Sequence, residues 1–196
     1  MAFAEPLAVT IHAAKQAGDL TGKKVFISGV GPIGCLVVAS VKALGAAEIV
    51  CADMSQRCLD LALAMGATKI LHAASGDFTP YLEHKGYFDV SFEVSGHPSS
   101  IERCLAITRA RGTLIQVGMG QAVPEFNMMP LIAKEISWKG SFRFIEEFNT
   151  SVELLSTGKV NPLPLLSKVV NFKDFQAALD LAGNKNEIAK VQLSFE

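Results

Sequence analysis

The sequence predicts an α/β fold built on a doubly wound parallel sheet, and three observations lead to this prediction. Short runs rich in β-branched and aromatic residues alternate with segments of helical period through most of the chain. A glycine-rich turn follows the first of these runs, and an acidic residue ends the next one. The composition, 49% hydrophobic and 19% charged over 196 residues, is typical of a globular chain with a sizeable core.

The first part of the chain predicts a leading helix and then a β-α-β-α-β unit. The leading helix is expected at residues 7–18, where apolar residues recur at helical spacing. Pro32 is placed in the first turn of the second helix, Ser55 at the N-cap of the third, and Gly66 at its end. The unit is expected to comprise strands at 24–28, 48–52 and 69–72 and helices at 32–44 and 55–65.

The pattern then repeats and predicts a second half of the same sheet. Strands are expected at 87–94, 112–117 and 136–142, with helices at 98–108 and 129–134. The six strands together predict a sheet domain over residues 21–143, preceded by a connecting helix within residues 1–20. Residues 144–196 have no place in that sheet and predict a further segment, with helices at 146–156 and 173–182 and strands at 168–172 and 189–195.

The glycine-rich turn indicates a phosphate-binding loop of the Rossmann type. Gly29, Gly31 and Gly34 form a G-x-G-x-x-G pattern, with Pro32 and Ile33 between the last two, directly after a strand and at the start of a helix. In such a loop the first glycine permits the turn, the second lets a pyrophosphate approach the backbone, and the third lets the helix pack close to the strand. The helix N-terminus favours the phosphate charge.

The choice between NAD and NADP depends on two residues that follow the second strand, Asp53 and Arg57. Asp53 lies 19 residues after Gly34 (53 − 34), the spacing of a carboxylate that accepts hydrogen bonds from the adenosine ribose. A carboxylate there repels a 2′-phosphate, so NAD is favoured over NADP. Arg57, one helical turn further on, is suited to contact a 2′-phosphate, and it is equally an ordinary surface charge; NADP therefore stays open.

The remaining composition bears on partners and setting. The net charge of −1 gives no basic surface, so no nucleic acid is expected as a partner. No apolar run approaches the ~20 residues of a membrane span, so no membrane association is expected. The four cysteines form neither a C-x-x-C pair nor a disulfide framework, and no two histidines have the spacing of zinc ligands. A cytoplasmic protein with buried thiols is the expectation.

Several motifs taken together resemble the medium-chain, zinc-dependent polyol dehydrogenases, the sorbitol dehydrogenase-like enzymes. The resemblance runs the full length of the chain. The motifs are Glu5-Pro6-Leu7, the glycine loop, Asp53, Val94-Ser95-Gly96, Val117-Gly118-Met119-Gly120 and Gly140-Ser141-Phe142-Arg143-Phe144. The resemblance implies oxidation of a polyol or sugar-acid hydroxyl with transfer of hydride to NAD or NADP, and a catalytic zinc as Lewis acid. It also implies a dimer or tetramer, formed through an edge strand such as 136–142.

The resemblance further implies roles for single residues. Glu5 would reach toward the zinc or its water, and Arg143 would lie at the nicotinamide and substrate end. The dinucleotide cleft would be lined by residues at the ends of three strands: Ser95, Gly96, Val117, Gly118, Met119, Phe142 and Arg143. Members of the family carry the zinc ligands in a GroES-like domain that has no counterpart in these 196 residues. The chain is thus expected to correspond to a C-terminal part of such an enzyme, inactive alone, with residues 144–196 a remnant of that domain.

Two other functions fit the same motifs. A stand-alone dinucleotide-sensing module would need no zinc ligands, but residues 161–196 look like part of a second domain. A zinc-free quinone reductase of the same superfamily is disfavoured by Glu5-Pro6-Leu7 and by the Phe142-Arg143 pair.

Overall fold

A computed structural model describes residues 2–120, 127–184 and 188–196. Its helices are α1 (Ala4–Gln16), α2 (Pro32–Ala43), α3 (Gln56–Met65), α4 (Pro98–Ile107), α5 (Met129–Ala133), α6 (Glu147–Ser156) and α7 (Phe175–Gly183). Its strands are β1 (Lys24–Ser28), β2 (Glu48–Asp53), β3 (Lys69–His72), β4 (Phe88–Glu93), β5 (Thr108–Gln116), β6 (Ser137–Gly140), β7 (Leu166–Asn171) and β8 (Lys190–Ser194). Among these residues, no helix has the length and apolar character needed to cross a bilayer.

Six strands form one parallel sheet in the order β3-β2-β1-β4-β5-β6, which confirms the predicted doubly wound fold. The chain winds outward from β1 to one edge and then from β4 to the other. The strand order therefore reverses between β1 and β4, and open α/β sheets bind ligands in the crevice at such a point. In register, Ser28 lies beside Glu93, and Glu93 beside Gln116, so these strands all end at this crevice.

The sheet is buried on both faces, as expected for parallel strands. Val25 and Ile27 of β1 point to one hydrophobic core, and Phe26 points to the other. The first core includes side chains from α1, α2, α3 and α6, so the leading helix packs on the sheet rather than standing apart from it. The second core lies under α4. The division at residues 20 and 143 remains a prediction.

Local signals account for most element boundaries. Pro32 stands at the start of α2, and the Ser55 side chain accepts a hydrogen bond from the Cys58 backbone N–H at the start of α3. The leading helix begins at Ala4, three residues before its predicted start. Strand β5 begins at Thr108 rather than at residue 112, because its pairing with β4 is irregular between Phe88 and Val90.

After β6 the chain first adds α6 to the core of the large sheet, and its last part then forms a small C-terminal lobe outside that sheet. Strands β7 and β8 pair in parallel as a two-stranded sheet, with α7 as the connection between them. Several apolar side chains of this lobe are exposed: Val169, Phe172, Phe175, Leu179 and Phe195.

Candidate dinucleotide site

The glycine loop joins β1 to α2 at the crevice, and its three glycines meet different surroundings. Gly29 has a φ of +88°, and a Cβ there would lie 2.7 Å from the backbone nitrogen of Ser95. A Cβ on Gly34 would overlap the carbonyl oxygen of Gly29, so α2 approaches β1 only with glycine at this position. A Cβ on Gly31 would meet no described atom within 4 Å. Packing thus requires the first and third glycines, whereas Gly31 faces open space where a ligand can approach.

The N-terminus of α2 opens into the same space. Gly31 is its N-cap, and no side chain in the described part of the chain caps it. Pro32 is exposed and Ile33 half-buried, as the first two residues of the helix. The N–H groups of a helix's first turn have no partner within the helix and carry the positive end of its dipole. This end of α2 is therefore suited to a phosphate anion.

Asp53 lies at the end of β2 and holds the glycine loop. Its Oδ2 accepts a hydrogen bond from the backbone N–H of Val30 at 2.8 Å, and its Oδ1 accepts one from Ser55 at 2.9 Å. A carboxylate has about four lone-pair positions, so this half-buried group can still accept bonds from two hydroxyls. The side chain is held in place and remains available to a ribose.

Arg57 lies one turn into α3, beside Asp53. Its Nη2 donates a hydrogen bond to the Ser167 hydroxyl of β7 at 3.3 Å. The side chain lines a cavity of about 500 Å³ together with Val30, Gly31 and Asp53 on one side and Ala189 of the C-terminal lobe on the other. Its positive charge is thus within reach of a ligand held by the glycine loop.

A second cavity, of about 470 Å³, adjoins Asp53 on its other side and borders Ser28 and Gly29. Its far wall includes Ala73, whose carbonyl oxygen accepts a hydrogen bond from Arg103 at 2.8 Å. The Arg103 guanidinium lies 4.5 Å from the centre of the Phe78 ring. A cavity of this size beside the Asp53 carboxylate is suited to a planar base.

The loops after β4 and β5 pack against each other, and a buried carboxylate joins them. Glu93 is fully buried at the end of β4. Its Oε1 accepts bonds from the backbone N–H groups of Ser95 at 2.9 Å and Gly96 at 3.0 Å, and its Oε2 accepts one from the Gln116 side chain. A Cβ on Gly118 would overlap Gly96 and lie 2.6 Å from Glu93 Oε2. Gly96 and Gly118 were predicted from the sequence, whereas Glu93 and Gln116 were missed.

The residues assigned to the nicotinamide end are more exposed. Val117 and Gly118 donate backbone bonds to the Glu93 carbonyl at 2.8 and 2.9 Å, which fixes the start of their loop. Met119, next along, is 85% exposed and Phe142 is 67% exposed. Arg143 has a left-handed φ of +53°, and its guanidinium lies 5.4 Å from the Phe142 ring centre. Packing and hydrogen bonds therefore connect the glycine loop to the loops that contain Gly96 and Gly118. The side chains of Met119, Phe142 and Arg143 lie at the open rim.

Glu5 is exposed in the first turn of α1. Within the described ranges, no three His, Cys, Asp or Glu side chains come together in a way that would hold a metal ion. The described residues of this chain by themselves therefore do not fit a zinc site, and the assignment of Glu5 stays a prediction.

Comparison with known proteins agrees with this geometry. The model of a family described as zinc-binding dehydrogenase matches residues 32–157. L-idonate 5-dehydrogenase (NAD(P)(+)) of Escherichia coli is 63% identical over 195 residues, which cover 100% of this chain and 57% of that protein. Sorbitol dehydrogenase 1 of Saccharomyces cerevisiae is 33% identical over 189 residues, 91% of this chain and 53% of that protein. The chain spans about half the length of these relatives.

The crystal structure of the E. coli L-idonate 5-dehydrogenase superposes with a TM-score of 0.97, covering 99% of this chain and 56% of that one. The family match includes α2, Asp53, the Glu93 region and β6, whereas β1 and the first two glycines of the loop lie just before it. The chain belongs to the zinc-binding dehydrogenase family.

Proposed function

We propose that this chain binds NAD or NADP and forms the cofactor-binding part of a dehydrogenase acting on a polyol or sugar acid. The observation that carries this proposal is the open space at Gly31, next to the N-terminus of α2, which no described side chain caps. Asp53 fixes this loop by accepting a hydrogen bond from the Val30 backbone N–H. The adenosine ribose would bind to Asp53, the pyrophosphate to the amides of α2, and the base to the cavity beside Ala73. When bound, the nicotinamide supplies the hydride acceptor.

The substrate proposal follows the E. coli relative, whose name states L-idonate as the substrate. We propose oxidation of the C5 hydroxyl of L-idonate, which yields 5-keto-D-gluconate. The side chain of this chain that suits such a substrate is Arg143, since a guanidinium can donate two parallel bonds to a carboxylate. Its exposed position at the rim leaves it accessible to a ligand from solvent.

The zinc of the family would be held by residues outside these 196. Glu5 is the candidate contribution from this chain, directed to the metal or to its water. The part of the relatives' length that this chain does not match is where the other ligands would lie. We therefore expect this chain alone to be nearly inactive on L-idonate; zinc-dependent turnover by the purified 196 residues would contradict this expectation.

Arg57 bears on the choice between NAD and NADP. Its hydrogen bond to Ser167 leaves other guanidinium donors for a 2′-phosphate, whereas the carboxylate of Asp53 opposes that phosphate. We propose binding of both dinucleotides, with NAD bound more tightly. The Arg57→Ala variant should lose affinity for NADP and keep its affinity for NAD.

Calorimetric titration of the purified chain with NAD and with NADP tests the proposal. Asp53→Ala should weaken NAD binding at least tenfold, because hydrogen bonds to a charged group contribute about 1.5–3 kcal/mol. Asp60→Ala is the matched control: Asp60 is an exposed carboxylate on the same helix as Arg57 and accepts a bond from Gln56. Unchanged NAD affinity in Asp53→Ala would refute the role of this carboxylate.

A homo-oligomer, either a dimer or a tetramer, is part of the proposal. Strand β6 is the edge of the large sheet, and all four of its residues are exposed. An exposed edge strand can pair with a second copy of itself. Sedimentation equilibrium should give two or four times the chain mass of 20.9 kDa, and a purely monomeric mass would contradict the proposal.

A reducing, cytoplasmic setting is also part of the proposal. The four cysteines are free and three of them are buried, which supports such a setting.

A further inference from the structure

A buried carboxylate and its hydrogen-bond partners join the leading helix to α6, away from the crevice itself. His12 of α1 is 8% exposed and Glu147, the first residue of α6, is 7% exposed. His12 Nδ1 lies 3.3 Å from Glu147 Oε2, and Lys15 Nζ lies 3.6 Å from Oε1. The sequence gives no local signal for this contact, since Glu147 lies 135 positions after His12 (147 − 12).

The same carboxylate fixes the end of the loop that carries Arg143. Glu147 Oε2 accepts hydrogen bonds from the backbone N–H groups of Ile145 at 3.0 Å and Glu146 at 3.1 Å. Burial raises the pKa of Glu147, but these backbone bonds and the bond from His12 hold it at about 2. The Glu147 carboxylate is therefore ionised in the folded chain, and its Oε2 is the oxygen that meets the His12 side chain and both backbone N–H groups.

The loop at residues 141–146 is attached mainly at its two ends. At its start, the Ser141 N–H donates to the Gln116 carbonyl at 2.8 Å. Between this bond and Glu147, the side chains of Phe142 and Ile145 are 67% and 79% exposed, and Arg143 takes a left-handed φ that is unfavourable for a residue with a side chain. Phe144, the residue after Arg143, is half-buried, and its ring stacks on Phe148 of α6 with the ring centres 6.1 Å apart. The position of this segment therefore depends on that stacking and on the bonds at its ends.

The helix on the other side of the pair carries Glu5, two helical turns before His12. Apolar side chains already join α1 to α6, since Leu7, Ile11 and Leu154 belong to one core. Burying a carboxylate with its partners at such a contact is often no more stabilising than burying apolar groups of the same size. The pair is thus poorly explained by stability alone, and its distinctive effect is to tie the Arg143 loop to α1.

We propose that Glu147 and His12 are positioning residues that set Arg143 at the nicotinamide end of the site. The inference rests on the proposed function, because it gives Arg143 a ligand to meet. Removal of the Glu147 carboxylate frees the 145–146 backbone, and Arg143 then loses its fixed place relative to the cofactor.

The test compares NADH, which has the nicotinamide, with ADP-ribose, which lacks it. Glu147→Ala should weaken NADH binding by about tenfold and leave ADP-ribose binding unchanged, since the loss is that of bonds to one charged group. Glu147→Gln keeps an oxygen that can accept the two backbone bonds, and it should bind NADH within about twofold of the original chain. Glu153→Ala, an exposed carboxylate on the same helix, is the matched control.

A double-mutant cycle asks whether the effect passes through Arg143. In the Arg143→Ala background, Glu147→Ala should have no further effect on NADH affinity. Additive losses, or equal losses for NADH and ADP-ribose, would overturn the inference.

A second variant covers the case in which Glu147→Ala does not fold. His12→Ala keeps both backbone bonds and should still weaken NADH binding by about threefold relative to ADP-ribose binding; no change in that ratio would also overturn the inference. If the original chain binds neither ligand, the proposed function fails and this inference with it.

Discussion

Replacing Gly31 by alanine separates ligand binding from folding at the glycine loop. The backbone there has a φ of −61° and a ψ of −169°, which an alanine can adopt, and the new Cβ would meet no described atom within 4 Å. Folding stability should therefore be unchanged or rise by roughly 0.4–1 kcal/mol through the lower entropy of the unfolded chain. NAD affinity should fall about ten- to a hundredfold, since a methyl group in that space displaces a phosphate from one charge-assisted bond of about 1.5–3 kcal/mol.

Two other glycines serve as matched controls in urea unfolding and in calorimetric titration. Gly34→Ala should lose both stability, by about 1–3 kcal/mol, and NAD binding, because its Cβ would overlap the Gly29 carbonyl. Gly183→Ala, at the end of α7 with no described atom within 4 Å, should likewise keep or slightly raise the folding stability, and it should leave NAD affinity unchanged. Full NAD affinity in Gly31→Ala would refute the assignment of this loop to the pyrophosphate.

The other predictions concern buried charged groups. Glu93→Ala should lower the free energy of unfolding by about 2–4 kcal/mol in urea, because the Ser95 and Gly96 N–H groups lose their buried acceptor; an unchanged value would show that the carboxylate does not hold these loops. Lys134→Met should cost about 1–3 kcal/mol, since Lys134 Nζ donates to three carbonyls at the end of α4; equal thermal midpoints would contradict this. The pKa of Glu147 is about 2 against an ordinary 4.5, so its contribution is full above pH 4.5 and is lost as pH falls toward 2. Glu147→Gln should remove up to about 3 kcal/mol of that acid dependence, and an identical acid-unfolding curve would refute it.

The predicted sheet agrees with the structure because local and tertiary preferences coincide in its strands. Strand β1 was predicted at its observed residues, since Val25, Phe26 and Ile27 are buried on both faces of the sheet. The start of β5 was not predicted, because residues 108–111 are held by irregular pairing with β4 and contain Arg111 at a φ of +59°. That conformation depends on tertiary contacts and has no signal in the local sequence.

The candidate site divides in the same way. The places of Gly29, Gly34 and Asp53 around the β1–α2 loop were predictable, because the βαβ unit imposes their spacing, while their roles in cofactor binding stay a prediction. Glu93 was not, since in the sequence it is one residue of a strand, and its role appears only when β5 brings Gln116 beside it. The His12–Glu147 pair was missed for a related reason: its members belong to helices that lie before and after the sheet strands in the sequence.

The two ends of the proposed cofactor site differ in how completely this chain builds them. At the adenosine end, both oxygens of Asp53 are already bonded to backbone N–H groups, so little order would have to be gained on binding. At the nicotinamide end, Met119 and Phe142 are largely exposed, and Arg143 depends on a loop bonded at its two ends. Most of the binding free energy of NAD to this chain should therefore come from the adenosine diphosphate. The affinities for NADH and ADP-ribose should accordingly differ by about tenfold or less, a modest contribution that Arg143 and its positioning pair are expected to supply.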